Sequence, residues 1–96
     1  TDVALIGLSE KFNPFLLTII NKFIVEGLKV EIIYNGNMSK KFKRANKIGA
    51  SFAIILGEEE IKKNIVKLKN LASGNEQHTD LNQAVKLMKR KYIETR

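Results

Sequence analysis

A continuous apolar run, Phe52–Leu56, places the strongest constraint on how this chain can fold. Five apolar residues are too few for a buried helix and are typical of a strand covered on both faces, as in a parallel sheet. A lysine-rich stretch at residues 40–47 precedes the run, and Glu58, Glu59 and Glu60 follow it. Charge of both signs is therefore gathered around one central strand, which suits an anionic, hydrogen-bonding partner such as RNA better than a small-molecule reaction centre.

The length of 96 residues predicts one domain, residues 1–96, with a single modest core. The chain begins with Thr1 and enters strand-like sequence almost at once, so we expect it to be a piece of a longer protein. It has no cysteine and one histidine, a composition that excludes a disulfide framework and a histidine–cysteine zinc site. The longest apolar helical stretch, residues 15–25, is too short to span a bilayer and does not resemble a signal peptide, so we expect no membrane association.

The net charge of +7 favours nucleic acid or another polyanion as the partner. The distribution of charge is more informative than its total. No acidic residue lies between Glu31 and Glu58, and five cations fall within eight positions of that interval: Lys40, Lys41, Lys43, Arg44 and Lys47. An exposed basic helix is therefore expected beside the central strand.

Hydrophobic periodicity predicts an alternation of strands and helices. Asn13 and Pro14 are typical of an N-cap followed by proline at the first helical position. Asp80 with Gln83 resembles a capping box for the last helix. The predicted strands are residues 3–6, 28–34, 52–56, 65–69 and 76–79, and the predicted helices are residues 13–26, 39–48, a short 58–63, and one from about residue 81.

Three of these helices have an apolar side that predicts how they pack. The second helix should also present Lys40, Lys43, Arg44 and Lys47 on its opposite, solvent-facing side. The predicted core positions are Phe15, Leu16, Ile19, Ile20, Phe23 and Ile24 in the first helix, Met38, Phe42, Ala45 and Ile48 in the second, and Leu81, Ala84, Val85, Met88 and Tyr92 in the last.

Right-handed crossovers in both early βαβ units place the first strand between the second and the third. The fourth and fifth strands are then added beyond the third, and the fourth runs antiparallel to it. The predicted fold is a three-layer α/β domain with a five-stranded mixed sheet in the order 2-1-3-4-5 and three main helices distributed over both faces.

The sequence contains few candidates for catalysis. Glu58–Glu60 follow the central strand, where magnesium could bind, but no aspartate follows the first or second strand, and acidic residues also favour a helix N-terminus through its dipole. The loop Gly7–Asn13 lacks the glycines of a phosphate-binding loop. Ser9 and His78 are not linked by any motif, and we expect His78 to lie on an edge strand. We predict no catalytic, metal or cofactor site.

RNA contact is better supported than catalysis, although an exposed lysine face is often simply solvated. Beside the basic helix lies the turn Tyr34–Asn37, which combines an aromatic ring with two amides, the groups that stack on and hydrogen-bond to unpaired bases. Tyr34 is nevertheless expected to be a core residue. Lys67 and Lys69 share one face of the fourth strand, which is either plainly solvated or part of the same surface.

Four phrases occur in order along the chain: residues 27–31 (GLKVE), 43–50 (KRANKIGA), 53–61 (AIILGEEEI) and 66–74 (VKLKNLASG). In their order and spacing they resemble the C-terminal anticodon-binding domain of class II aminoacyl-tRNA synthetases, most closely the histidyl branch. The similarity as a whole spans about residues 3–92.

The resemblance implies the same five-stranded fold and a tRNA partner. In the threonyl and prolyl enzymes the anticodon is read from positions that correspond here to Asn35, Glu60 and Lys69, to which Tyr34, Asn37, Lys40 and Lys67 are added as neighbours. It also implies a cytoplasmic, homodimeric parent that attaches histidine to tRNA(His) with ATP and magnesium in a separate N-terminal domain.

The sequence departs from the family pattern at two positions. Asn64 replaces a usual glycine, and asparagine tolerates the left-handed conformation. Asn46 replaces a common aspartate and adds to the positive balance. Two other functions stay open beside anticodon binding: that of a protein-interaction domain of a synthetase paralogue and that of a small nucleotide-binding α/β domain.

Overall fold

The strand and helix order is the one that the sequence periodicity predicts. The computed structural model describes the backbone of residues 1–94 and the side chains of residues 1–90. The strands are β1 (Val3–Gly7), β2 (Val30–Ile33), β3 (Phe52–Leu56), β4 (Val66–Asn70) and β5 (Glu76–Thr79), and the helices are α1 (Asn13–Val25), α2 (Met38–Lys47), α3 (Glu58–Lys63) and α4 (Leu81–Glu94), with a 3-10 turn at Glu10–Phe12.

The strands form one mixed sheet in the order β2-β1-β3-β4-β5. β1 is parallel to β2 and β3, β4 is antiparallel to β3, and β5 is antiparallel to β4. The three-layer α/β architecture and the strand order predicted from crossover handedness are therefore confirmed. His78 lies on β5 at the edge of the sheet, also as predicted.

One face of the sheet is covered by α1 and α4 and contains the larger part of the core. α1 packs on β1 and β2, and α4 packs on β4. The prediction for the last helix is confirmed for Ala84, Val85 and Met88, which are buried, and Leu81, which is partly buried. The side chain of Tyr92 lies outside the described residues.

The predicted core face of α1 is wrong at its two margins. Leu16 and Phe23 are fully buried, but Phe15 is 44% exposed and Ile24 is 54% exposed. At about 100° per residue, Phe15 and Ile24 lie roughly 90° to either side of the centre of the buried stripe. The sheet surface under α1 is narrower than the apolar face that the sequence offers.

The start of α1 also differs from the prediction. Asn13 already has helical backbone angles, φ −56° and ψ −40°, and Phe12 occupies the N-cap position. The 3-10 turn continues directly into α1, so Asn13 is helical before its side chain can act as a cap. Its Oδ1 atom is buried and makes no hydrogen bond within the described residues. By contrast, Asp80 accepts from the Gln83 N–H at 2.7 Å, which confirms the predicted cap of α4.

The other face of the sheet is apolar under α2 and polar beyond it. Ala45 of α2 packs over Ala4, Ile6 and Ile55, with Met38, Phe42 and Ile48 partly buried around them, as predicted. One row of paired residues crosses all five strands on this face: Ile33, Ile6, Ile55, Lys67 and His78. The row changes from apolar to basic where it leaves α2, and this polar part of the sheet is the region that holds the candidate site.

The contrast between neighbouring leucines of α1 gives a direct test of this packing. Leu16 is fully buried, whereas Leu17 is 53% exposed. We expect Leu16→Ala to lower the free energy of unfolding by about 2–5 kcal/mol, since it leaves a cavity between helix and sheet. Leu17→Ala should change it by less than about 0.5 kcal/mol. Urea denaturation of both variants checks this, and equal losses of stability would contradict the packing of α1 described here.

Candidate nucleic-acid interface

The turn between β2 and α2 presents polar groups to solvent at the carboxyl edge of the sheet. Tyr34 is 44% exposed, so the prediction that it belongs to the core is wrong: β2 ends at Ile33, before the ring can turn inward. Asn35 is exposed, and its amide makes no hydrogen bond within the described part of the chain. Asn37 is the N-cap of α2, and its Oδ1 accepts from the Lys40 N–H at 2.9 Å. The turn therefore presents the Tyr34 ring and the Asn35 amide to solvent, next to the capped start of α2.

The outer side of α2 carries the predicted basic surface. Lys40, Lys43, Arg44 and Lys47 are all exposed. The Arg44 Nη2 lies 3.6 Å from a carboxylate oxygen of Glu31 on β2. These side chains lie next to the Tyr34–Asn37 turn, so a cationic surface and a hydrogen-bonding turn adjoin each other.

Lys41 belongs to the same basic run but lies on the inner side of α2. It is 3% exposed, and its Nζ donates to the backbone carbonyl of Gly7 at 2.9 Å. Helical spacing places Lys41 one turn from Met38 and Ala45, on the core side, so periodicity could have found it. Lys41 joins the start of α2 to the end of β1 and is not part of the exposed basic surface.

Lys67 and Lys69 lie on the polar part of the sheet and are both partly buried. Their Nζ atoms lie 3.7 Å and 3.6 Å from the carboxylate of Glu76 on β5. The Nζ of Lys69 also lies 4.4 Å above the ring of Phe42 on α2, a cation–π geometry. Lys69 is therefore held between α2 and β5, which fixes the position of its positive charge.

Glu60 is buried, at 5% exposure, and both of its carboxylate oxygens are engaged. Oε1 accepts from the Gly57 N–H at 2.8 Å and so closes the first turn of α3. Oε2 lies 3.2 Å from Nε2 of His78. Sequence reasoning missed this link because its partners come from a helix and an edge strand 18 positions apart.

Gly57 is closely packed at the start of α3. A Cβ atom at this position would overlap Cδ1 of Leu8 and lie 3.0 Å from Oε1 of Glu60, so a larger residue would require the Leu8 side chain to move. Leu8 follows β1 and is half exposed at this edge. The Gly57-x-x-Glu60 turn thus brings an apolar side chain, a buried carboxylate and a histidine together.

A cleft of about 560 Å³ opens beside this turn, between α3 and the β4–β5 hairpin, and its lining includes Leu8, Glu60, Lys63, Lys67 and His78. Glu59 and Lys63 form an ion pair of 2.8 Å at its rim. The hydrogen bond from Lys63 lowers the pKa of Glu59, and the same bond raises the pKa of Lys63, so both stay charged at neutral pH.

α3 ends at a residue with left-handed backbone angles. Asn64 has φ 56° and ψ 44°, which confirms that asparagine adopts the left-handed conformation expected there. Among the described side chains, those of residues 1–90, no group of three or more histidine, cysteine, aspartate or glutamate residues is placed to hold a metal ion. Within the described backbone, residues 1–94, no helix has the length and apolarity needed to cross a membrane.

The predicted site residues fall into two groups along the carboxyl edge of the sheet. Tyr34, Asn35, Asn37 and the basic face of α2 lie at the β2 end, whereas Glu60 and Lys67 lie at the β4 end. Lys69 lies farther along β4 and touches α2 through Phe42. The structure thus brings Glu60 and Lys67 together in one cleft with His78, and it separates them from Asn35.

Comparison with known proteins matches this architecture to one family. The family model described as "Anticodon binding domain" matches residues 2–91. A histidine–tRNA ligase of Caldanaerobacter subterraneus is 40% identical over 89 residues, covering 92% of this chain and 21% of the relative. One of Bacillus velezensis is 30% identical over 89 residues, with the same coverage. The chain therefore spans about a fifth of the length of these relatives.

Solved structures agree with the sequence relatives. The histidyl-tRNA synthetase of Nostoc sp. PCC 7120 superposes with a TM-score of 0.88 at 25% identity, covering 96% of this chain and 22% of that one. The RNA-binding domain of threonyl-tRNA synthetase from Cryptosporidium parvum has a TM-score of 0.84 at 16% identity, over 93% of this chain and 23% of that one, and so shares the fold. From the family match over nearly its whole length, this chain belongs to the anticodon-binding domain family.

Proposed function

We propose that this chain is the anticodon-recognising domain of a histidine–tRNA ligase and binds the anticodon stem-loop of tRNA(His). The observation that carries the proposal is the exposed basic face of α2 beside the Tyr34–Asn37 turn. A cationic surface attracts the RNA backbone, and the adjoining ring and amide suit unpaired bases. The names of the sequence relatives support histidine as the amino acid.

The basic face of α2 and the three candidate base-reading residues would make different contributions to RNA binding. Lysine and arginine on a helix attract phosphates, and phosphate contacts carry no base information. Asn35, Glu60 and Lys69 offer an amide, a carboxylate and an ammonium, which differ in donor and acceptor pattern. Asn35 follows β2 and Lys69 lies on β4, three strand spacings away, about 14 Å, whereas Glu60 lies on α3. Across such a span Asn35 and Lys69 would contact different nucleotides of the loop and not one base.

The parent enzyme extends the proposal beyond this chain. It would attach histidine to tRNA with ATP and magnesium in a separate catalytic domain, and it would act as a homodimer in the cytoplasm, as the family resemblance implies. This domain would contribute binding energy and no chemistry. A synthetase paralogue that does not read the anticodon would instead bind a protein partner and show no selective tRNA footprint, and a nucleotide-binding domain would bind ATP saturably in equilibrium dialysis.

The basic face of α2 should govern the salt dependence of RNA binding. Replacing Lys40, Lys43, Arg44 and Lys47 together by glutamine should flatten the plot of log affinity against log salt, by about 0.7 for each phosphate that these side chains neutralise in the unaltered chain. Preference for the cognate hairpin should remain nearly intact. Affinities measured by fluorescence anisotropy at several salt concentrations check this.

A charge-matched control separates local contact from total charge. Replacing Lys22, Lys86, Lys89 and Arg90 by glutamine removes four cations from α1 and α4, on the opposite face of the sheet. This control should leave the salt slope close to that of the unaltered chain. The same flattening in both variants would show that α2 has no special role in the interface.

Base selectivity should depend on Asn35, Glu60 and Lys69. Asn35→Ala and Lys69→Ala should each cost about 1–3 kcal/mol of binding free energy against the cognate anticodon hairpin, by analogy with base contacts in DNA, and much less against a hairpin with substituted anticodon bases. For Glu60 the change is Glu60→Gln, because alanine would leave the Gly57 N–H without its acceptor. Equal losses of affinity on both hairpins would mean that these residues hold only the backbone.

A further inference from the structure

His78 is the one residue of the cleft beside α3 whose side chain is a ring, among the described residues that line it. Its side chain is 46% exposed, so a face of the imidazole is open to solvent. We infer that His78 is a base-contacting residue: an unpaired base of the bound RNA stacks on its ring inside the cleft. The inference rests on the proposed function and adds to it a residue and a mode of contact.

The orientation of the His78 ring is fixed through its contact with Glu60. Nε2 is tied to Oε2 of Glu60 at 3.2 Å, and Glu60 is itself fixed by the Gly57 N–H at 2.8 Å. The strand register places His78 directly opposite Lys67 on β4. A ring whose orientation is already fixed loses little conformational freedom when a base stacks on it, which favours binding. Glu60 is on this account a positioning residue for the ring.

The cleft has the chemistry that an unpaired base needs. Its volume of about 560 Å³ lies in the range of small-ligand sites. Leu8 offers an apolar surface, and half of that side chain is exposed although it packs on Gly57. Lys63 and Lys67 also line the cleft, each paired with a carboxylate, that of Glu59 at 2.8 Å and that of Glu76 at 3.7 Å. Histidine is among the side chains on which splayed RNA bases stack.

The Tyr34 ring cannot serve the same base. Tyr34 follows β2, and β5 lies four strand spacings away, about 19 Å. The edge of the sheet therefore carries two separate exposed rings, Tyr34 at one end and His78 at the other. An RNA loop laid along this edge would meet both of them through different nucleotides.

The alternative role of His78 is to satisfy the buried Glu60 carboxylate and nothing more. The two roles predict different results for His78→Phe, which keeps the ring and removes the hydrogen bond. Stacking predicts that phenylalanine restores RNA binding, whereas a purely structural role predicts that it behaves like alanine. Gln77→Ala is the matched control, since Gln77 neighbours His78 on β5, points to the other face of the sheet and is exposed.

The experiment is a set of binding curves for a fluorescent hairpin with the anticodon loop of a histidine tRNA. Three further hairpins each lack one anticodon base, and a fourth lacks all three. His78→Ala should weaken binding of the intact hairpin about 10-fold, and His78→Phe should bind within about 3-fold of the unaltered chain. The weakening in His78→Ala should disappear on one of the single abasic hairpins, the one that lacks the stacked base. Gln77→Ala should bind all hairpins as the unaltered chain does.

The outcomes separate this inference from the proposed function. If the unaltered chain does not prefer the intact hairpin to the one lacking all three anticodon bases, the proposed function fails, and the inference fails with it. If that preference is present but His78→Ala binds as tightly as the unaltered chain, or is weakened equally on every abasic hairpin, the inference alone is overturned. Thermal unfolding of each variant shows whether the fold persists, and a rescue by phenylalanine keeps the test decisive even if alanine lowers stability.

Discussion

The buried carboxylate of Glu60 holds together the end of the sheet on which the candidate site depends. One oxygen closes the first turn of α3 through the Gly57 N–H, and the other reaches His78 on β5. Burying a carboxylate is unfavourable unless hydrogen bonds or charges compensate it, and these two contacts supply the compensation. The position of α3 and the position of the edge strand are thereby coupled, although the two elements are not adjacent in sequence.

A second buried charge does the same at the other side of this edge. The Lys41 ammonium donates to the Gly7 carbonyl and so joins α2 to the end of β1, and Leu8, the next residue, packs over Gly57. From α2 to β5 the carboxyl edge is thus a continuous set of contacts between α2, β1, α3 and β5. Such an edge can present exposed polar groups in fixed positions, which recognition of separate bases requires.

Much of the fold can be predicted from the sequence because its signals are local. The periodicity of Phe52–Leu56 and the handedness of two crossovers are enough to place the central strands and order the sheet. Periodicity misplaces Phe15 and Ile24 because it reports the width of the apolar face and not the width of the surface that covers it. It misplaces Tyr34 because alternation does not reveal where a strand ends.

The site is harder to predict, since its decisive contacts join residues distant in sequence. The family pattern points to Glu60, but its partner His78 depends on the register of the β4–β5 hairpin, which strand composition does not set. Asn37 is evident as a polar turn residue, while its hydrogen bond to Lys40 gives it a role as a helix cap. Residue type and spacing identify candidates; which atoms remain free for a ligand is decided by the packing around them.

The edge position of β5 places an additional demand on its sequence. An edge strand exposes unpaired backbone groups, and charged or polar side chains discourage another strand from pairing with them. All four residues of β5 are polar, and Glu76 is shared between Lys67 and Lys69. The same polarity that protects the edge keeps the neighbouring lysines oriented across the sheet surface. Protection of the edge and the proposed recognition therefore favour the same residues, so a strand that adds little to the core still determines the charge pattern of the candidate interface.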